Sequence, residues 1–202
     1  MSDFWARLDA VRAENDVLQH PFYVRWTNGE LSREELATYA GEYRHAVVAI
    51  ADVAELAADG GGERLHRHAM EERSHIELWD RFADAVGADT GDAAPETAAC
   101  VDAWTRGEDS LDRLVALYAL EAAQPAIAEV KRDGLVRFYG VEPGAGTSYF
   151  DVHAELDREH AAEGRELIAE RLAGADEERL IGRAQEALEG YWTLLDGVER
   201  AA

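Results

Sequence analysis

The sequence predicts an all-α fold, an antiparallel bundle of six or seven helices, and three observations carry that reading. Only four prolines interrupt 202 residues. Apolar residues recur with the 3.6-residue helical period over long segments. Residues that start and stop helices stand at the ends of those segments. The length suits one well-packed domain, and no break in composition divides it, so residues 1–202 are read as a single domain.

A first helix is expected from about Asp3 to Leu18, with Phe4, Leu8, Val11 and Leu18 on its apolar side. His20-Pro21 breaks it, and Asn28-Gly29 marks a turn. Ser32-Arg-Glu-Glu35 has the form of a capping box, a hydroxyl at the N-cap with a carboxylate three residues on. The helix it opens reaches about Ala58 and stops at Gly60-Gly61-Gly62. A third helix covers about Glu63 to Val86 and ends at Gly87. The connection GADTGDAAPETAAC reads as a solvated loop or a helix start. It holds Cys100, whose lone presence excludes an internal disulfide and a four-thiolate zinc site. Asp109 or Ser110 caps the next helix, which runs to about Arg132, is ended by Gly134, and is kinked by Pro125 just after Glu121. After the loop VEPGAGTS, two helices follow, from about Tyr149 to Leu172 and from Asp176 to about Glu199.

The net charge of −22 repels nucleic acid and anionic membrane surfaces, so neither is an expected partner. With 47% hydrophobic residues the chain can still bury a core. No basic stretch leads into an apolar run, and no stretch approaches 18 apolar residues, so a soluble, cytoplasmic protein is expected.

Lys131 is the only lysine, and arginine supplies the other 19 of the 20 basic side chains. Acidic excess with arginine in place of lysine is also what a high-GC or salt-adapted genome produces, but composition does not explain where the survivor sits. His153, Asp157 and His160 stand at i, i+4 and i+7, which at about 100° per residue puts them within roughly 60° of each other. His68, Glu72 and His75 repeat that rhythm on the third helix. Glu72-x-x-His75 is also the Glu-x-x-His spacing of carboxylate-bridged dimetal sites in helical bundles. Imidazole with carboxylate suits iron, manganese or zinc. Glu121 follows the apolar run Leu114 to Leu120, where a charge needs a partner, either an arginine or a metal. The His153/Asp157/His160 stripe, the Glu72-His75 pair and Glu121 provide the six ligands usual for two metals with open positions for dioxygen.

At this point the chain resembles the CADD-like proteins, named for a Chlamydia protein associating with death domains, within the haem-oxygenase-like dimetal oxidases. The resemblance rests on LQHPFYVRWTNGELSREELATYAGEYRH, EERSHIELWDRF, LYALEAAQPAIAEVKRDGL and HAELDREH. It implies a seven-helix haem-oxygenase-like bundle of the TenA/PqqC/CADD type, with no haem and with a dinuclear iron or mixed iron/manganese centre. Such a centre uses dioxygen and an external reductant. The implied ligands are His75, Glu121, His153, Asp157 and His160, with one more carboxylate from the Glu71-Glu72 pair. The stretch between that pair and the histidine is about three residues shorter than in CADD. Alignment points to Glu71, while the spacing of other dimetal bundles points to Glu72.

The resemblance further implies synthesis of 4-aminobenzoate from the protein's own side chains, with Tyr23 giving the carbon skeleton and Lys131 the amino group. Tyr39 occupies a second family tyrosine position. The tyrosine that precedes the bridging glutamate in the family is Leu120 here, so a radical relay through that site is lost. A homodimer is the family's assembly. The alternatives are a multiple-turnover oxidase of an external aliphatic or amino-acid substrate, a metal-free TenA-type hydrolase or PQQ-synthesis-like protein, and an interaction module.

Overall fold

The computed structural model describes residues 3–59 and 62–201. It contains nine α-helices among the described residues, and no strand. In order they are α1 (Asp3–Glu14), α2 (Pro21–Asn28), α3 (Arg33–Ala58), α4 (Glu63–Val86), α5 (Pro95–Thr105), α6 (Ser110–Glu121), α7 (Gln124–Phe138), α8 (Ser148–Arg171) and α9 (Glu177–Ala201). The all-α expectation holds, and the count of seven is corrected upward.

Prolines account for part of the difference. Pro21, read as a breaker, sits in the first turn of a helix, as does Pro95, where a missing N–H costs nothing. At α2 the His20 imidazole accepts from the Phe22 N–H at 3.1 Å and serves as the cap. α5 starts at Pro95 inside the stretch read as a solvated loop or a helix start, and Cys100 on it is buried rather than solvated. The first helix stops at Glu14 instead of Leu18, because Asp16 turns its side chain back onto the Leu18 N–H and opens a 3₁₀ turn at Val17–Gln19. The kink expected near Pro125 is a full break, with Ala122 and Ala123 separating α6 from α7.

Other boundaries stand as expected. The capping box is complete: Ser32 Oγ accepts from the Glu35 N–H, and the Glu35 carboxylate accepts from the Ser32 N–H. α4 runs from Glu63 to Val86, and Gly87 at φ 76 ends it in the left-handed conformation. Of the expected stop at Gly60-Gly61-Gly62, the first two glycines lie outside the described residues.

Gly134 does not end a helix, since α7 continues to Phe138. A Cβ there would stand 2.5 Å from Trp26 Nε1, and that indole donates to the Lys131 carbonyl at 3.1 Å. The glycine lets α2 lie against α7 and fixes the backbone beneath Lys131. Gly134→Ala should therefore cost about 1–3 kcal/mol through overpacking. Chemical denaturation with an unchanged m-value checks this, and an unaltered midpoint would contradict it.

Helix α3 lies against α4, α5, α6 and α9, and α8 lies against α4, α6 and α7. Trp26, Trp79 and Trp104 fill the core, each indole donating to a helix carbonyl, so none leaves a buried donor unmet. This packing leaves two polar clusters inside the bundle, one among α4, α6 and α8 and the other among α2, α3, α7 and α9.

Candidate metal centre and buried tyrosine–lysine cluster

The helical stripes read from the sequence converge. α4 contributes His68, Glu72 and His75, α6 ends on Glu121, and α8 contributes His153, Asp157 and His160, all buried. Ligand-type atoms of His68, Glu72, Glu121 and His160 lie within 4.8 Å of one another, and so do those of Glu72, His75 and His153. Glu72 is common to both groups. One of its oxygens, Oε1, is 3.3 Å from His75 Nδ1 and 3.5 Å from His160 Nδ1, and the other is 3.7 Å from His153 Nε2. Asp157 is the remaining carboxylate, with Oδ1 3.6 Å from His160 Nδ1.

Several of these buried atoms find no hydrogen-bond partner among the described residues: Glu72 Oε1, His75 Nδ1, His153 Nε2, His160 Nδ1 and both oxygens of Asp157. Unmet buried polar atoms are costly, and six aimed into one small volume fit a metal site better than a folding core. Their outer hydrogen bonds also suit ligation. His153 Nδ1 donates to the Tyr149 carbonyl at 2.7 Å, which turns the Nε2 lone pair inward. His160 Nε2 lies 3.0 Å from the Glu71 carboxylate, which leaves its Nδ1 facing Glu72 and Asp157.

Electrostatics agree with a site built for cations. Burial alone would raise the Glu72 carboxyl, but His153 and His75 outweigh it and hold it well below the usual carboxylate range. Burial alone would lower His153, yet Asp157 and Glu72 push it up to about 9. His160, surrounded by Asp157, Glu121, Glu71 and Glu72, is likewise pushed up against burial to about 10. Burial raises Glu121, and His68 Nε2 at 2.7 Å opposes that rise. Three buried carboxylates attract positive charge, a demand that a bound metal would meet.

The structure separates the two glutamates that the sequence left as alternatives. Glu72 is enclosed in the cluster, whereas the Glu71 side chain is 36% exposed and stands on the rim against His160. His68 stacks over His160 with ring centroids 3.8 Å apart.

Tyr23, Tyr39 and Lys131 meet in the second cluster, all buried. The Tyr23 hydroxyl is 2.9 Å from that of Tyr39 and 2.8 Å from that of Tyr191. Lys131 Nζ donates to the Tyr191 hydroxyl at 3.2 Å and lies 4.5 Å from the Tyr43 ring centroid and 5.1 Å from that of Tyr23. Ring faces offset part of an ammonium's desolvation, about 0.5–2 kcal/mol per contact. Burial still prevails and pushes the amine well below its ordinary value, because no carboxylate compensates it. Burial pushes the Tyr23 phenol well above its own range, with the neighbouring tyrosines adding to the rise. Burial therefore favours the neutral form of both groups.

Sequence reasoning did not single out Tyr191, Tyr149 or Trp79. His153 stacks on Tyr149 at 3.9 Å between centroids, Tyr149 meets Trp79 at 4.8 Å, and Trp79 meets Tyr43 at 4.9 Å and Tyr39 at 6.0 Å. The i−4 relation of Tyr149 to His153 was a usable signal. Tyr191 carried none, since it reads as one more apolar position of α9.

A sequence profile of the iron-containing redox enzyme family matches residues 60–196, the span that holds all seven residues of the acidic-imidazole cluster. The chain belongs to this family. Among curated relatives of this chain is a 4-aminobenzoate synthase of Nitrosomonas europaea, 31% identical over 96% of this chain and 90% of its own length. A 4-aminobenzoate synthase of Chlamydia muridarum is 29% identical over 96% of this chain and 89% of its own. These matches agree with the resemblance carried by the sequence motifs. A TenA homologue from Pseudomonas syringae superposes with a TM-score of 0.84, covering 98% of this chain and 93% of that one. At 15% identity this shows a shared fold alone. Among the described residues, no helix is long and apolar enough to cross a membrane.

Proposed function

We propose that this protein is an oxygen-dependent dimetal oxidase that forms 4-aminobenzoate from its own Tyr23, with Lys131 as the amino donor. The observation that carries the reading is the chain's only lysine, buried without a carboxylate partner and bonded to the hydroxyl that also contacts Tyr23. The names of the relatives support the product, and the unpartnered atoms around Glu72 support the metal requirement.

In this reading Glu72, His75, Glu121, His153, Asp157 and His160 would hold two iron ions or one iron and one manganese. The bound centre, reduced externally, supplies oxidising power from dioxygen. Glu71 and the Tyr149 carbonyl keep the imidazoles of His160 and His153 in their ligating orientation. Loss of an electron from the Tyr23 phenol also requires loss of its proton, and the hydrogen bonds to the Tyr39 and Tyr191 hydroxyls are the routes along which it can be relayed away. Tyr149 and Trp79 give the electron an aromatic path that does not pass through Leu120. Neutral Lys131 presents a lone pair near the electron-poor ring, which arginine cannot do.

Protein containing ring-labelled tyrosine, treated with iron(II), manganese(II), reductant and oxygen, should release labelled 4-aminobenzoate and show a mass loss confined to the Tyr23 peptide. An intact Tyr23 peptide alongside full product formation would overturn the reading. Cys100, packed in the core with its thiol pushed up by burial, does not suit the nucleophile of a TenA-type hydrolase.

A further inference from the structure

We propose that a cleft beside Tyr191 binds a small aromatic carboxylate, with Arg12 gripping the carboxylate and the Tyr191 ring dividing the ligand from Lys131. The cleft measures about 550 Å³ and opens where the end of α1, the Val17–Gln19 turn, the α6–α7 junction and α9 come together. That volume falls in the range of small-molecule sites, roughly 300–1,000 Å³. The helix break at Ala122 and Ala123 makes its floor, so the feature that replaced the expected kink also creates the space.

Its chemistry matches an arene with one anionic end. Leu18, Leu120 and Ile127 supply apolar walls, and Arg12 is the one cation among the lining residues. Arg12 Nε is buried without a partner among the described residues, and Nη1 reaches only Asp9, at 3.1 Å. Asp9 is half exposed, and a surface pair of that kind contributes little. Asp16, the other acid lining the cleft, is engaged by the Leu18 N–H at 3.0 Å and by Gln19 Nε2 at 3.3 Å. The guanidinium therefore has donors to spare for a carboxylate, which it can hold through two parallel hydrogen bonds.

Tyr191 connects this cleft to the reacting cluster. Its ring lines the cleft, while its hydroxyl accepts from Lys131 and touches the Tyr23 hydroxyl. The identity of the arene rests on the proposed function: an aromatic acid made from buried Tyr23 must leave past a wall, and Tyr191 is a wall shared with an open cleft. The same chemistry serves a product leaving or an external aromatic acid entering, and ring-labelled tyrosine distinguishes them, because only the product carries the label.

The test uses the full chain kept free of oxygen and reductant, titrated with 4-aminobenzoate and with the neutral 4-aminobenzamide, binding being read by calorimetry and ligand-observed NMR. The acid should bind at least about tenfold more tightly than the amide. Arg12→Gln should remove about tenfold from the acid while leaving the amide unchanged, as loss of a charge-assisted hydrogen bond predicts. Ala123→Leu, which fills the floor, should weaken both. Equal binding of acid and amide, no binding of the acid, or an Arg12→Gln protein indistinguishable from wild type would overturn the proposal. Binding is measured without turnover. An unconsumed Tyr23 would thus end the synthase reading and leave the cleft standing, and the reverse outcome is equally separable.

Discussion

Lys131→Met protein should make no 4-aminobenzoate and yet unfold at a higher temperature than wild type. Methionine has nearly the length of lysine and no charge, so it occupies the same channel between the Tyr43 and Tyr23 rings. It removes an amine whose one hydrogen bond, to Tyr191, does not offset full burial. The gain should be on the order of 1–3 kcal/mol, the usual cost of an under-compensated buried polar group. At this chain length that is about 2–4 °C for each kcal/mol. The sign of the pH dependence follows from burial pushing the folded-state amine below its unfolded value. Between those two values the unfolded chain binds the extra proton. Wild-type stability is therefore fully present above the unfolded lysine value of about 10.4 and is lost as pH falls toward the folded one. The advantage of Lys131→Met accordingly shrinks as pH rises toward about 10.4. Thermal melts of both proteins across that window check this, with product assayed in parallel. A destabilised Lys131→Met protein, or one with normal product yield, would show that the lysine is a structural element. Lys131→Arg should also be inactive, because guanidinium keeps its proton.

Glu72→Ala should abolish metal binding at both groups, whereas Glu71→Gln should retain it with affinity reduced about 10–100-fold. The difference follows from position. Glu72 is the carboxylate common to both sets of converging atoms, and its loss leaves His75 and His153 without any carboxylate in their group. Glu71 touches the cluster only through the outer nitrogen of His160. Its amide still fixes the ring orientation but no longer polarises it. Metal content after reconstitution, read by elemental analysis over a concentration series, separates the two. Equal losses in the two variants would contradict the assignment.

Much of this was legible in the sequence where local chemistry decides the outcome. Ser32 and Glu35 fix the start of α3, Gly87 ends α4, and the i, i+4, i+7 spacing puts His68, Glu72 and His75 on one stripe before any packing is known. Pro21 misled because a proline that breaks a helix interior also favours a first turn, and only the preceding residues tell the two apart. Gly134 misled for a tertiary reason: the glycine answers to Trp26, 108 positions earlier in the chain, and not to the end of its own helix. The choice between Glu71 and Glu72 was equally out of reach, since one residue is about 100° around a helix and both angles reach a common face. What distinguishes them in the structure is His160, whose Nδ1 lies 3.5 Å from Glu72 and whose Nε2 lies 3.0 Å from Glu71. Tyr191 and Arg12 gave no signal, since the role of each comes from helices that are distant in the chain.

The measurement that bears most directly on the account is anomalous diffraction from crystals loaded with iron(II) and manganese(II), recorded at the absorption edges of both metals. Two ions per chain are predicted, held among Glu72, His75, Glu121, His153, Asp157 and His160. A single ion, an ion bound by Glu71 in place of Glu72, or imidazoles that stay unligated at saturating metal would contradict it.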